Sequence, residues 1–182
     1  KKLPIPVICI GNVVAGGAGK TPVAISIAEF LIADGWKVHF LSRGYGGRFD
    51  GPLQVVLGGH ISDDVGDEPL LLASTAPTWV AKDRASGGLA AYEAGADVII
   101  MDDGFQNTAI QKDLSFLVID GGYGVGNGRI LPSGPLRERV SEALYRADAV
   151  TVIGDGADLR FLSESDLPLF RAKIVPHALQ NE

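Results

Sequence analysis

A chain of 182 residues with 46% hydrophobic residues is long enough for one domain with a sizeable core, and it is too apolar for a disordered protein. Its formal net charge of −6 argues against a general nucleic-acid-binding protein, which is usually basic, but leaves room for an anionic ligand held by local cations. The single cysteine, Cys9, excludes a disulfide within the chain and suits a reducing compartment. No apolar run approaches the ~18 residues expected of a membrane-spanning helix.

The first three predicted elements are a strand, a glycine-rich turn and a helix. Val7–Ile10 is an apolar run typical of a buried strand, and Thr21–Ala33 has the pattern of a helix. Glycines between them let successive backbone N–H groups converge on one anion, and the helix N-terminus adds partial positive charge. The pattern predicts a phosphate-binding loop in which Lys20 reaches the β- and γ-phosphates and the Thr21 hydroxyl holds Mg²⁺. The predicted nucleotide-binding residues are Gly16, Gly17, Ala18, Gly19, Lys20 and Thr21.

The match to the strict phosphate-loop motif is incomplete. That motif places a glycine five residues before Gly19, where this chain has Val14, and Gly11 lies three residues farther upstream. The alternative interpretation is an ordinary glycine-rich turn. The flanking strand and helix favour the phosphate-binding loop, because they are the context that the motif requires.

The rest of the chain alternates apolar runs with helical patterns. Strands are predicted at Val38–Leu41, Val55–Leu57, Thr78–Val80, Val98–Met101, Leu114–Ile119 and Val150–Ile153, helices at Arg84–Ala94, at Glu138–Arg146 and from Gly66–Pro69 onward, and an extended segment at Leu167–Val175. This alternation predicts an α/β fold, a P-loop NTPase-like three-layer sandwich with a mainly parallel central sheet. Ligands of such sheets gather at the carboxyl ends of the strands, so the loops that follow them are expected to share one edge. Those loops come after Ile10, Leu41, Met101 and Ile119.

A pair of aspartates follows the apolar run Val98–Met101. An acid that such a strand delivers to the sheet edge is the usual partner of a phosphate-binding loop, where it holds Mg²⁺, commonly through water. The alternative is a strand-end Asp that only forms a turn. The phosphate-loop pattern favours the metal interpretation for Asp102, and Asp103 doubles the local carboxylate.

The segment Gly66–Pro69 carries two carboxylates at a predicted helix start. A kinase benefits from a base placed at its acceptor hydroxyl, and Asp67 could fill that role. Asp-Glu-Pro is also ordinary capping chemistry, with Pro69 suited to the first helical position and Asp67 or Glu68 to the cap. The residues alone leave both interpretations open.

Several cations lie in or near the predicted loops, namely Arg43, Arg48, Lys82, Arg84, Arg129, Arg137 and Arg139. Each by itself is expected to be a solvated surface charge. Arg43 and Arg137 stand beside glycine- or proline-rich turns, which can aim an Arg fork at a phosphate. For these two residues both roles are open.

Five sequence blocks together resemble the tetraacyldisaccharide 4′-kinase family, the lipid A biosynthetic kinases of Gram-negative bacteria. The blocks are Gly11–Pro22, Leu41–Gly47, Gly66–Pro69, Asp102–Gln106 and Leu131–Glu138, and they occur in family order. The resemblance implies an ATP-dependent kinase that uses Mg²⁺ and phosphorylates the 4′-hydroxyl of a tetraacyldisaccharide 1-phosphate, the lipid A disaccharide precursor. It also implies work at the surface of the bacterial inner membrane, on its cytoplasmic face.

The resemblance assigns roles to residues in these blocks. By motif, the catalytic residues are Asp67, Lys20 and Arg137, with Asp67 as the base; the metal residues are Thr21, Asp102, Asp103 and Glu138; and the substrate-binding residues are Arg43, Tyr45 and Gln106. One position departs from the family, which usually has His after Asp-Asp-Gly-Phe-Gln. Asn107 stands there and can form a hydrogen bond but cannot shuttle a proton.

Members of that family are longer than this sequence. They carry an N-terminal hydrophobic helix before the phosphate loop and a second α/β lobe after a linker, which would begin near Pro176–Glu182. We therefore expect residues 1–182 to be a single P-loop kinase core lobe, a fragment of a two-lobe enzyme. A membrane anchor, if the enzyme has one, would lie in a segment outside this sequence.

A protein of another class, a nucleotide-switch ATPase or GTPase that regulates a protein partner, would also need the phosphate loop and Asp102. Such proteins usually carry a guanine-specificity motif or a lysine before the loop. Ala15 occupies the position of that lysine, and the chain has no Asn-Lys-x-Asp. A dinucleotide-binding module is a third alternative, but residues 11–16 do not fit Gly-x-Gly-x-x-Gly.

Overall fold

The computed structural model describes residues 1–163 and 165–175. Its strands are β1 (Val7–Gly11), β2 (Val38–Ser42), β3 (Leu53–Gln54), β4 (Thr78–Val80), β5 (Val98–Asp102), β6 (Leu114–Asp120), β7 (Ala149–Ile153) and β8 (Leu169–Ala172). Its α-helices are α1 (Lys20–Ala33), α2 (Ser62–Val65), α3 (Asp67–Ala73), α4 (Arg84–Glu93) and α5 (Val140–Arg146), and a 3-10 turn covers Arg160–Leu162. The linker expected near residues 176–182 lies outside the described residues.

Within the described part of the chain, eight strands form one sheet in the order β3-β4-β2-β5-β1-β6-β7-β8. Every neighbouring pair is parallel except β3 with β4. The strand before the phosphate loop lies at the centre, so Ile10 stands opposite Asp102 on one side and Phe116 on the other. The mainly parallel sheet is confirmed, and the carboxyl ends of β1, β2, β5 and β6 meet at one edge as predicted.

Helices cover both faces of this sheet. On one face, Ala28 of α1 and Leu72 of α3 pack in a core that includes Ile100. On the other, Ala91 of α4 shares a core with Ile99, and α5 lies on the same side. Consecutive strand residues point to opposite faces, so Ile99 and Ile100 belong to different cores. The predicted three-layer sandwich is therefore confirmed.

The short strand predicted at Val55–Leu57 is wrong in position. The edge strand β3 lies at Leu53–Gln54 and pairs antiparallel with β4. After it, the backbone N–H of Val56 donates to Nδ1 of His60 at 3.0 Å, and this tight turn takes the chain away from the sheet. Helix α2, which follows that turn, is not predicted by the sequence pattern.

The predicted cap of α3 is wrong as well. Gly66 occupies the cap position, and Pro69 is the third helical residue rather than the first. Gly66 has a φ of 88°, and a side chain there would overlap the carbonyl oxygen of Tyr45, so only glycine fits. Asp67 and Glu68 therefore lie in the first turn, where their charges complement the helix dipole.

None of the helices in residues 1–163 and 165–175 is both long enough and apolar enough to cross a membrane.

Candidate active site

The phosphate-binding loop joins β1 to α1 at the centre of the edge. Gly19 caps α1 with a φ of 79°, and a side chain there would overlap that of Ile153. Lys20 is buried, and its Nζ donates to the carbonyl oxygen of Gly16 at 3.4 Å and lies 3.7 Å from Oδ1 of Asp103. The ammonium group is therefore held over the loop, where the phosphates of a nucleotide would meet it.

Thr21 and Asp102 face each other between the start of α1 and the end of β5. The Thr21 hydroxyl donates to Oδ2 of Asp102 at 3.1 Å. Burial raises the pKa of the Asp102 carboxyl to about 6, although the Thr21 hydrogen bond acts in the opposite direction. A bound cation would favour the ionised carboxylate and would lower this pKa.

The oxygen atoms of Thr21 and Asp102 are suitable ligands for magnesium. This ion is usually held by one or two protein oxygens, waters and substrate phosphates rather than by a full protein cage. The residues that the structure describes contain no group of three or more His, Cys, Asp or Glu that could hold an ion. A hydroxyl and a carboxylate beside the phosphate loop are the oxygen ligands that such a shared ion needs.

Asp103 connects the phosphate loop to Arg137. Its φ is 49°, in the left-handed region that Asp tolerates better than most residues, and its N–H donates to Oδ1 of Asp102 at 3.0 Å. Its carboxylate accepts from Nη1 of Arg137 at 2.9 and 3.0 Å and lies near Lys20. Two residues 34 positions apart are thus joined at the point where strand ends meet.

The irregular first half of the phosphate loop has a structural role. Ala15 N–H donates to the carbonyl oxygen of Pro135 at 2.8 Å, and Arg137 N–H donates to that of Val13 at 2.7 Å. Val14 forms an antiparallel bridge with Leu136 between these two bonds. A strand-like pairing suits a β-branched residue better than glycine, which accounts for Val14 at the position of the missing glycine.

Gln106 and Glu138 form a hydrogen-bonded network at the same edge. Gln106 Nε2 donates to the carbonyl oxygen of Asn12 at 2.8 Å and to Oε1 of Glu138 at 2.9 Å. The other carboxylate oxygen of Glu138 pairs with Arg146 at the end of α5. Helix α5 begins at Val140 rather than at the predicted Glu138, which leaves Glu138 in the segment that faces the loop.

A polar cavity of about 490 Å³ opens between the ends of β2, β4 and β5. It is lined by Ser42, Arg43, Tyr45, Glu68, Lys82, Arg84, Asp103, Gln106, Asn107 and Arg137. The three residues predicted to bind substrate are all there, beside Asp103 and Arg137. Asn107, the departure from the family pattern, also lines the cavity, and its side chain accepts from the N–H of Ala109 at 3.0 Å.

Asp67, the predicted base, is exposed in the first turn of α3 and is absent from that lining, whereas its neighbour Glu68 contributes to it. The two residues share the first turn of α3.

Arg84 is the cavity residue for which the prediction is wrong. The sequence predicts a solvated surface charge, but the residue is only 3% exposed. Nη1 donates to the carbonyl oxygen of Ala81 at 2.8 Å, and Nε has no hydrogen-bond partner among the described residues. Burial, with the charge of Arg43, lowers the pKa of the guanidinium to about 10. A buried cation without a carboxylate partner lowers the stability of the fold. No local sequence pattern after Asp83 predicts this burial.

A second, smaller cavity of about 280 Å³ lies on the other side of the phosphate loop. The loop residues 13–18 form one wall, and the end of β6 with Tyr123 and Gly124 forms the other. The phosphate loop therefore separates two spaces, one beside the glycine-rich segment after β6 and one beside Arg43 and Arg84.

A family model described as Tetraacyldisaccharide-1-P 4′-kinase matches residues 1–182, which is the whole chain. The chain belongs to this family. The resemblance carried by the five sequence blocks is therefore confirmed.

Named relatives agree with this assignment. The tetraacyldisaccharide 4′-kinase of Parvibaculum lavamentivorans is 61% identical over 156 residues, which cover 86% of this chain and 46% of the relative. That of Rhodospirillum centenum is 55% identical over 174 residues, covering 95% of this chain and 52% of the relative. The chain thus spans about half the length of the curated relatives it matches.

Solved structures support the fold. The LpxK protein of Aquifex aeolicus, crystallised in complex with ATP, is 34% identical with a TM-score of 0.78, covering 94% of this chain and 55% of that one. The signal recognition particle receptor FtsY of Elizabethkingia anophelis is 18% identical with a TM-score of 0.56, covering 99% and 61%. The second likeness concerns the fold alone, and the P-loop NTPase-like prediction is confirmed.

Proposed function

We propose that this chain is the ATP-binding core lobe of a kinase that phosphorylates the 4′-hydroxyl of a tetraacyldisaccharide 1-phosphate in lipid A biosynthesis. The observation that carries the proposal is the convergence of Lys20, Thr21–Asp102 and Asp103–Arg137 beside a cavity lined by further cations. Family membership names the acceptor, and the LpxK relative was crystallised with ATP. Residues 1–182 would form one lobe, with the rest of the active site supplied by chain that the longer relatives also possess.

ATP would lie along the phosphate loop, with its triphosphate over the N-terminus of α1. The N–H groups of residues 16–21 would receive the phosphate oxygens, and Lys20 would exchange its contact with Gly16 for the β- and γ-phosphates. The smaller cavity beside Tyr123 is placed to take the nucleoside end. These groups hold charge in fixed positions, which is the main protein contribution to phosphoryl transfer.

Mg²⁺ bound near Thr21 and Asp102 would neutralise charge on the β- and γ-phosphates. Asp103 would keep Lys20 and Arg137 directed at the same point, because its carboxylate contacts both. Arg137 would then meet the γ-phosphoryl from the side of the acceptor cavity. Glu138, expected as a metal residue from the family, has both carboxylate oxygens engaged by Gln106 and Arg146, which favours a role in positioning Gln106.

The acceptor would occupy the larger cavity. Arg43, Tyr45 and Gln106 line it and would orient the sugar. Asp67, which adjoins the cavity-lining Glu68 in the sequence, would accept the proton of the 4′-hydroxyl as that oxygen forms its bond to the γ-phosphorus and the bond to the β-phosphate oxygen breaks. The products would be ADP and the phosphorylated disaccharide.

The same proposal places the enzyme at the cytoplasmic face of the bacterial inner membrane. An acceptor with four acyl chains resides in a membrane, and ATP is available on the cytoplasmic side. The acidic chain, with its net charge of −6, gives no reason to invoke a nucleic-acid partner. The nucleotide-switch alternative is disfavoured because the family match covers the entire chain, while the FtsY likeness is limited to the fold.

The decisive experiment offers the complete protein [γ-³²P]ATP and tetraacyldisaccharide 1-phosphate in detergent micelles. We expect label in the lipid product, dependent on added Mg²⁺. Nucleotide hydrolysis that never labels the lipid, and that responds instead to a protein partner, would replace the kinase proposal with the switch alternative.

A further inference from the structure

Arg146 contacts the active site only through other residues. It lies in the last turn of α5 and does not line the acceptor cavity. Its guanidinium pairs with Oε2 of Glu138 and lies 5.3 Å from the centre of the Phe105 ring. The Glu138 side chain is 13% exposed and the Arg146 side chain 42%, so the arginine closes the solvent side of a mostly buried carboxylate. Its position at the end of a helix does not by itself indicate a role in the kinase reaction.

The Arg146–Glu138 pair contributes to the orientation of Gln106. Its amide nitrogen has two acceptors, the carbonyl oxygen of Asn12 and Oε1 of Glu138, at 2.8 and 2.9 Å. The amide oxygen must then face the other way, and it lies 3.5 Å from Nη1 of Arg137, the nitrogen that binds Asp103. An amide presents its donor and acceptor on opposite sides, so the Asn12 carbonyl and Glu138 together hold the amide oxygen of Gln106 toward Arg137.

From this network we infer that Arg146 is a positioning residue for the phosphoryl-transfer site, an inference that rests on the proposed function. Its charge holds the Glu138 carboxylate toward Gln106. Without it, the carboxylate would lose its neutralising partner and would turn to the neighbouring cation, Arg137. Arg137 would then be shared between Glu138 and Asp103, and its guanidinium would be held less firmly toward the transferred phosphoryl group.

The competing explanation is that Arg146 only packs α5 onto Phe105. The structure allows the two roles to be separated, because Lys112 also lies over that ring, at 5.8 Å, and donates to the Phe105 carbonyl oxygen at 2.8 Å. Arg146→Met keeps most of the stem and removes the charge. Arg146→Lys keeps the charge. A packing role depends on the stem, and a positioning role depends on the charge.

The test is a double-mutant cycle in the complete protein with Arg146→Met, Glu138→Gln and the pair. We expect Arg146→Met to lower kcat roughly tenfold, the order seen when one member of a hydrogen-bond network is removed, with KM for ATP within about twofold of the wild type. Adding Glu138→Gln to Arg146→Met should recover part of the lost kcat, because the carboxylate that competes for Arg137 is then gone. Arg146→Lys should recover most of the activity.

The matched control is Arg139→Met. Arg139 is an exposed arginine at the other end of the same helix, 3.9 Å from Glu142, and its replacement should leave kcat unchanged. A lower melting temperature for Arg146→Met with unchanged kcat, or fully additive losses in the double variant, would overturn the positioning role.

A second readout does not depend on turnover. In ¹⁵N-labelled protein, the side-chain amide resonances of Gln106 should move toward solvent-exposed values in Arg146→Met and return in Arg146→Lys. Unmoved resonances overturn the inference even if the enzyme is a kinase. A wild-type protein that fails to phosphorylate the lipid overturns the proposed function, while these resonances still decide whether Arg146 positions Gln106.

Discussion

The two sides of the phosphate loop are built differently. On the nucleotide side, Lys20, Thr21 and Asp102 are all buried, and they belong to a helix start and a strand end whose positions the central sheet fixes. On the acceptor side, Tyr45 is 83% exposed in the loop after β2 and Asp67 is exposed in the first turn of α3, although Arg84, which lines the same cavity as Tyr45, is buried. Charge stabilisation needs fixed, desolvated groups, which regular structure provides. In the proposed function, the exposed loops on the other side would contribute to recognition of the acceptor.

The strongest test of the nucleotide side is Lys20→Ala in the complete protein. Removing the ammonium group leaves charge on the transferring phosphoryl uncompensated, so we expect kcat to fall by about 10³-fold or more. Lipid phosphorylation is the measurement, and Lys37→Ala, an exposed lysine at the opposite edge, is the control. Activity within about tenfold of the wild type would show that the buried lysine is not the main charge partner.

Asp67→Ala tests the acceptor side. If Asp67 accepts the proton of the hydroxyl, kcat should fall by about 10²–10³-fold, while ATP binding measured by titration stays unchanged. Asp63→Ala, an exposed acid in the preceding helix α2, is the matched control. Near-normal turnover in Asp67→Ala would remove its role as base and direct attention to Glu68, which lines the cavity.

Arg84→Met separates binding from stability. Arg84 lines the acceptor cavity, so we expect the KM for tetraacyldisaccharide 1-phosphate to rise about 10- to 100-fold and the KM for ATP to stay unchanged. The rise corresponds to the loss of one or two charge-assisted hydrogen bonds to this substrate. Replacing a buried, unpaired cation by an apolar side chain should leave the melting temperature equal or higher. Arg139→Met should change neither quantity. A large loss of stability with normal KM would make Arg84 a structural residue.

Asp102→Asn should show the smallest effect, on stability. The pKa of Asp102 is raised to about 6, so the native state holds more protons than the unfolded state between about pH 4 and pH 6. The wild type therefore loses stability as the pH rises through that window. The Asn variant has no carboxyl at this position and does not show this loss. At pH 8 its free energy of unfolding should be higher by about 1–3 kcal/mol, measured by urea denaturation.

The control for that measurement is Asp63→Asn, at an exposed position. An Asp102→Asn protein with an unchanged pH profile, or one that is less stable at pH 8, would contradict the burial argument. Loss of Mg²⁺-dependent nucleotide binding in the same variant would show that the carboxylate is retained for function at a cost in stability.

Regular elements were predictable because their signals are local. The apolar runs of β1, β5 and β6 and the start of α1 predict their bounds to within one residue. The errors lie where one specific contact, near or distant along the chain, decides. Gly66 caps α3 because it packs against Tyr45, and β3 ends early because His60 bonds back to Val56. Neither contact follows from a hydrophobic pattern.

For the site, the sequence by itself determined the phosphate loop, the acid after β5 and the family, because these depend on residue types at fixed short spacings. Only the tertiary structure decided that Val14 pairs with Leu136, that Asp103 joins Lys20 to Arg137, and that Arg84 is buried. The reason is physical: burial and pairing are set by which strand ends meet at the edge of the sheet, and residues that meet there are separated by tens of positions along the chain.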